Sequence, residues 1–170
     1  MSRFAVRGAI FATWALIASS TFLIVQGHEQ TLAQGDLILL ELAPVDPRSL
    51  MQGDYMALRF AADDQLAAGS VDIESSIKTS YAYFTLDAQG RGEFAAVGDA
   101  PSSEPDQLSM RIRKINGRYS IGPNAFFFQE GTGGQLEEAR WGGFRVATDG
   151  SALLVSLHDA ELQALGTQER

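Results

Sequence analysis

The chain reads as a mainly β domain with short helices: an antiparallel sheet, sandwich or partly open barrel, plus one N-terminal transmembrane helix. Three observations predict this. The chain opens on an uncharged apolar run; later apolar runs are short and separated by glycine-bearing turns; and one cleanly alternating segment, residues 108–115, ends at Asn116-Gly117. Short strands joined by such turns build antiparallel sheets rather than βαβ units. A length of 170 residues, 45% apolar and 20% charged, suits one globular domain with its own core.

Arg3 and Arg7 precede residues 8–25, an uncharged stretch of 18 positions rich in Ala, Ile, Leu and Phe. At about 1.5 Å per residue it spans about 27 Å, close to a hydrocarbon core of about 30 Å. Gln26 and Gly27 complete the fit, and Glu29 and Asp36 follow it. The positive-inside rule then places the arm in the cytoplasm and the rest outside. The expected division is a cytoplasmic arm 1–7, an anchor 8–27, a juxtamembrane linker 28–35 and an extracytoplasmic domain 36–170. A cleaved signal peptide is the competing reading, with an apolar region of about 7–15 residues and a small-x-small cleavage site. Val25-Gln26-Gly27 and Thr31-Leu32-Ala33 are weak versions of that site, so an uncleaved anchor is expected. The basic flank and all-round apolarity argue against a buried core helix.

Beyond residue 26 the chain holds 11 basic and 21 acidic residues, a formal net charge of −10. Such a domain is repelled by nucleic-acid phosphates and by anionic headgroups, so no nucleic-acid partner is expected. There is no cysteine, which removes disulfides, thiolate zinc sites and thiol nucleophiles.

Residues 36–42 form a brief apolar run that suits a buried strand, and Pro44 and Pro47 end it. Gly53-Asp54 is a corner opening into a strand over 54–60. Alternation puts Met56, Leu58 and Phe60 on the core face, with Tyr55, Ala57 and Arg59 opposite. Asp63-Asp64 caps a helical turn through Ala68, stopped by Gly69. Residues 81–86 and 92–97 flank a glycine turn, 98–107 is a proline- and serine-bearing loop, and Asn116-Gly117 turns residues 108–115 into 118–121. Residues 126–128 are an aromatic strand. Residues 132–140 read as a helix of one to two turns, with Glu137 and Arg140 at i,i+3 spacing. Residues 144–147 and 152–157 form a last hairpin across Asp149-Gly150, followed by a short capped tail over 159–165.

Gly53-Asp54-Tyr55-Met56-Ala57-Leu58-Arg59-Phe60 resembles the signature of the bacterial GDYXXLXY family, with Phe60 where the family has its last tyrosine. The likeness extends to Asp46-Pro47-Arg48-Ser49, to Phe127-Phe128-Gln129-Glu130-Gly131 and to the terminal hairpin. It implies a protein of the bacterial inner (cytoplasmic) membrane with its domain outside, and it brings no activity with it. The same stretch is similar to the second half of a signal-peptidase box, Ser49-Leu50-Met51-Gln52-Gly53-Asp54. Val45 stands where that box has its nucleophilic serine, and only Lys78 and Lys114 are present to act as the base.

His28 and His158 are the only histidines, and no metal or other cofactor is expected. His158-Asp159 reads as a strand end and helix cap, and Asp63-Asp64 as a solvated cap. Glu130, after three phenylalanines, is the carboxylate to examine for burial. No catalytic residue is assigned. Arg48, Asp54, Tyr55, Arg59 and Glu130 are the candidate interaction or ligand residues. The expected role is a non-enzymatic accessory or interaction module beside an integral membrane partner. The alternative is a small extracytoplasmic hydrolase or ligand-binding domain using Asp54, Tyr55 and Glu130.

Overall fold

The opening apolar run folds as one helix, α1 (Arg3–Gln34), 32 residues long. In this computed structural model the described residues are 3–44, 55–68, 80–115, 117–128 and 133–167. Phe11, Trp14, Leu16, Phe22 and Leu23 of α1 are all largely exposed, so the helix is apolar on every face. Residues Ile10–Gln34 are long and apolar enough to cross a membrane. Ser20 Oγ and Thr21 Oγ1 donate to the Ile17 carbonyl at 2.8 and 3.0 Å, which satisfies both hydroxyls within the helix.

Residues 28–34, expected as a polar linker, continue the helix. No glycine or proline interrupts them, and their side chains are tolerable helix formers. Thr31 is buried, and its carbonyl accepts from Gly35 N at 2.9 Å. A Cβ at Gly35 would lie 3.0 Å from the Val146 carbonyl oxygen. The helix thus runs onto the sheet with a single bend at Gly35.

The largest sheet is antiparallel. Its β9 (Trp141–Val146) pairs with β1 (Asp36–Glu41) on one side and β10 (Ala152–His158) on the other, and β11 (Ala164–Thr167) adds beyond β10. The β1–β9 register runs from Asp36 opposite Val146 to Glu41 opposite Trp141. A second sheet places β3 (Tyr81–Leu86) between β4 (Gly92–Gly98) and β5 (Gln107–Arg111). Two pairs complete the set: β6 (Arg113–Ile115) with β7 (Arg118–Ser120), and β2 (Tyr55–Ala57) with β8 (Ala125–Phe127). The helices α2 (Ala61–Ala68) and α3 (Gly133–Leu136) are short. The sheets are open and antiparallel, as the glycine turns require.

One core joins them. Ile38 and Leu40 of β1 meet Met56, Leu58, Phe60, Phe84, Met110, Phe126, Phe144 and Leu157 in a single buried cluster. Phe60 and Phe144 sit edge to face with ring centres 5.2 Å apart. Burying one such side chain is worth about 1.5–3 kcal/mol relative to leaving it in water. The face assigned to Met56, Leu58 and Phe60 is therefore the core face.

Further elements differ from the sequence reading. The alternating run 108–115 divides into β5 and β6 at Ile112, because Arg111 N donates to the Gly150 carbonyl (2.9 Å) and Ile112 N to the Ser80 carbonyl (2.8 Å). One run therefore serves two ladders. The helix read over 132–140 is the single turn α3, and Arg140 Nη1 donates to the Ala139 carbonyl at 3.0 Å rather than pairing with Glu137. The capped tail is a tight turn followed by β11: Asp159 Oδ1 accepts from Gln163 N at 2.8 Å, and Leu162 takes φ 64°. Asp159 caps no helix.

Candidate functional site

The motif strand presents two of the predicted residues on its outer side. Tyr55 of β2 is half-buried and lies opposite Phe127 of β8, their ring centres 6.0 Å apart. Phe127 is 65% exposed, which makes it the most exposed large apolar side chain among the described residues of the β domain. After Ala57 the chain leaves the ladder, with Leu58 N donating to the Asn124 carbonyl at 2.9 Å. Arg59 then points to solvent and pairs with Asp64 of α2 at 3.0 Å. Exposed pairs of this kind are worth about 0–1 kcal/mol, so Arg59 remains available to a competing anion. Arg48, Asp54 and Glu130 lie outside the described residues, as do Gly53, Val45, Lys78 and Asn116. Of the three residues of the hydrolase or ligand-binding alternative, Tyr55 alone falls within the described residues.

Asp63 differs from the solvated cap it was expected to be. Its carboxylate crosses to the turn after β7 and accepts from Ser120 Oγ and Ile121 N, each at 3.0 Å. Burial pushes its carboxyl above the usual carboxylate range, against the opposing pull of those hydrogen bonds. An acidic residue in a first helical turn is legible in sequence; a hydrogen-bond partner nearly sixty residues away is not.

His158 is likewise part of a polar tie that sequence reading missed. Its Nε2 lies 2.9 Å from Ser156 Oγ, and its Nδ1 lies 3.1 Å from the Leu162 carbonyl oxygen. A carbonyl only accepts, so Nδ1 carries a proton, and in the neutral imidazole Ser156 donates to Nε2. The signal was there: Ser and His two apart in a strand share one face. This is the hydrogen bonding of a base and a nucleophile, yet Ser156 is buried and a Cβ at Gly143, directly across the ladder, would overlap its Oγ. The arrangement serves as a fastening of β10 to the turn before β11.

Among the described residues, two clefts stand out at the flanks of the domain. The smaller, about 390 Å³, is lined by Glu41, Gln65, Asp87, Arg91, Glu93 and Trp141 among others. Arg91 Nε donates to Asp87 Oδ2 at 2.6 Å while its guanidinium lies 5.6 Å from the Trp141 ring centre. Desolvation tends to raise the Asp87 carboxyl, but the hydrogen bonds from Arg91 and Gln89 together hold it below the usual range. The larger cleft, about 830 Å³, lies between α1 and the sheet. Among the described residues, no three His, Asp or Glu side chains group as metal ligands.

These features define a class: a β domain continuous with a helix of membrane-spanning length, with half-buried Tyr55 of the motif strand against exposed Phe127 of the neighbouring strand. The GDYXXLXY protein family matches residues 17–157, which is most of the chain, and the chain belongs to that family. No curated protein and no solved structure matches it.

Proposed function

We propose that this chain is a bitopic protein of the bacterial cytoplasmic membrane, amino terminus inside. In this reading its β domain acts outside as a non-enzymatic accessory module on an integral membrane partner. The observation that carries the reading is α1, whose stretch Ile10–Gln34 is long and apolar enough to cross a membrane and has none of its most apolar window buried by the domain. An unsheathed apolar helix in water would cost about 25 cal/mol for each Å² of apolar surface, and a bilayer removes that cost. Arg3 and Arg7 set the orientation. The contact surface is the outer side of β2–β8, where Phe127 and Tyr55 supply an aromatic anchor, and Arg59, two residues past the end of β2, adds a solvent-exposed charge.

A photoreactive residue placed at position 127 should capture one dominant membrane protein in intact cells. Tyr55→Ala or Arg59→Ala should lower that capture severalfold while near-ultraviolet circular dichroism stays unchanged. Capture that ignores both substitutions would sink the accessory reading. So would a folded Asp54→Ala, Glu130→Ala double variant that loses turnover of some small substrate.

A further inference from the structure

The larger cleft has one wall formed by the last three turns of α1, from Leu23 to Gln34. The facing wall carries Arg111, Ile112 and Arg113, with the β9–β10 turn beside them. Charge is unevenly spread here. Of the 11 basic residues beyond residue 26, four fall within residues 111–118: Arg111, Arg113, Lys114 and Arg118. Asp149 is the one acidic residue among the cleft's lining residues, and Arg111 already holds it, Nη2 to Oδ2 at 2.8 Å and Nε to the Asp149 carbonyl oxygen at 3.0 Å. Arg113 and Arg118 are exposed and take part in no ion pair among the described residues.

The helix sets the depth of this cleft. A hydrocarbon core of about 30 Å takes about 20 helical residues. Counted from Gly8, it ends near Gly27, so Leu23 and Ile24 lie below the boundary and His28, Gln30 and Gln34 lie in the headgroup layer. Because Arg145 of β9 donates to the Gly35 carbonyl at 2.9 Å and Gly35 closely approaches Val146, the end of α1 is tied to the sheet and the arginines across the cleft are held at that same layer.

We propose that this cleft binds an anionic phospholipid, its phosphate at Arg113 and an acyl chain along Leu23 and Ile24. The proposal rests on the membrane-tethered reading above. The domain total of −10 does not oppose it. Screening over about 8 Å at physiological salt hides carboxylates on the far side of the domain from the bilayer. A cation touching the headgroups gains about fivefold in membrane binding. The local excess of arginine therefore decides the sign of the interaction at the surface.

The test uses the full chain in nanodiscs of phosphatidylcholine alone or with added phosphatidylglycerol, read by amide hydrogen exchange. Residues 111–121 should exchange about tenfold or more slowly in the anionic discs, as expected for two engaged cations. The difference should vanish in 1 M salt and in the Arg113→Gln, Arg118→Gln variant. Equal protection in both discs, with residues 10–26 protected, overturns the lipid site and leaves the anchor standing. Unprotected residues 10–26 overturn the anchor and the site together. Slowing that occurs only in native membranes, never in pure-lipid discs, assigns the cleft to a protein and overturns the lipid occupant.

Discussion

Asp63 stands in the first turn of α2 with its carboxylate facing away from that helix, bonded to Ser120 and Ile121. Its pKa is raised by burial, so between the unfolded and folded values the native state holds more protons than the unfolded one. The stability it contributes is then greatest below the unfolded value and falls as pH rises through that window. Asp149 has the opposite sign: the Ser151 backbone hydrogen bond, with Ser151 Oγ and Arg111, outweighs desolvation and lowers its pKa. Its contribution is present above the unfolded value and lost as pH falls through the folded one. Urea titrations at stepped acidic pH should show Asp63→Asn and Asp149→Asn changing the pH slope in opposite directions. Asp63→Ala leaves Ile121 N–H without its acceptor and should cost about 1–3 kcal/mol at neutral pH. Gly143→Ala would push its methyl onto Ser156 Oγ and should lower unfolding stability by about 1–3 kcal/mol. A wild-type midpoint for Gly143→Ala would refute the close approach of β9 and β10.

At the scale of elements, two turn glycines separate backbone geometry from packing. Gly117 and Gly150 both have left-handed φ, +80° and +81°, but a Cβ at Gly117 meets open space whereas one at Gly150 lies 2.7 Å from the Tyr81 ring. Ala at Gly117 should therefore cost about 1 kcal/mol from backbone strain alone. Ala at Gly150 should cost more, because it also displaces the ring where β3 meets the β9–β10 turn; paired thermal melts would check the order. The motif strand illustrates the same division. Met56, Leu58 and Phe60 are buried together, and alternation alone assigned them to one face. The break of the 108–115 run at Ile112 was not legible, because both new partners, Ser80 and Gly150, are distant in sequence. The helical course of residues 28–34 was missed for a related reason. Their polarity suits a linker, while their continuation as helix is supported by the burial of Thr31 and by the contact of Gly35 with Arg145 and Val146 of β9.

Across the described residues the long helix α1 runs into a β core in which Phe60 packs against Phe144, Gly122 and Gly142. Phe60→Ala should lose about 3–5 kcal/mol, unfolding the domain at markedly lower denaturant while leaving α1 helical by far-ultraviolet circular dichroism. If α1 is the anchor, the intact chain should stay in the membrane pellet through alkaline carbonate extraction. Removing residues 1–34 should release the domain to the supernatant. Recovery of the intact chain in the soluble fraction would refute the tether.

The sequence by itself determined the apolar span, the antiparallel class and the buried face of the motif strand. Those depend on local runs, turn residues and a period of two, each complete within a single short stretch of chain. The destinations of Asp63, Ser156 and His158, and the gathering of Arg111 and Arg113 beside α1, were decided only in the tertiary structure. Hydrogen bonds and charge clusters join whichever residues the folded core brings together. A linear pattern records the chemistry a side chain offers and omits the neighbour it will meet.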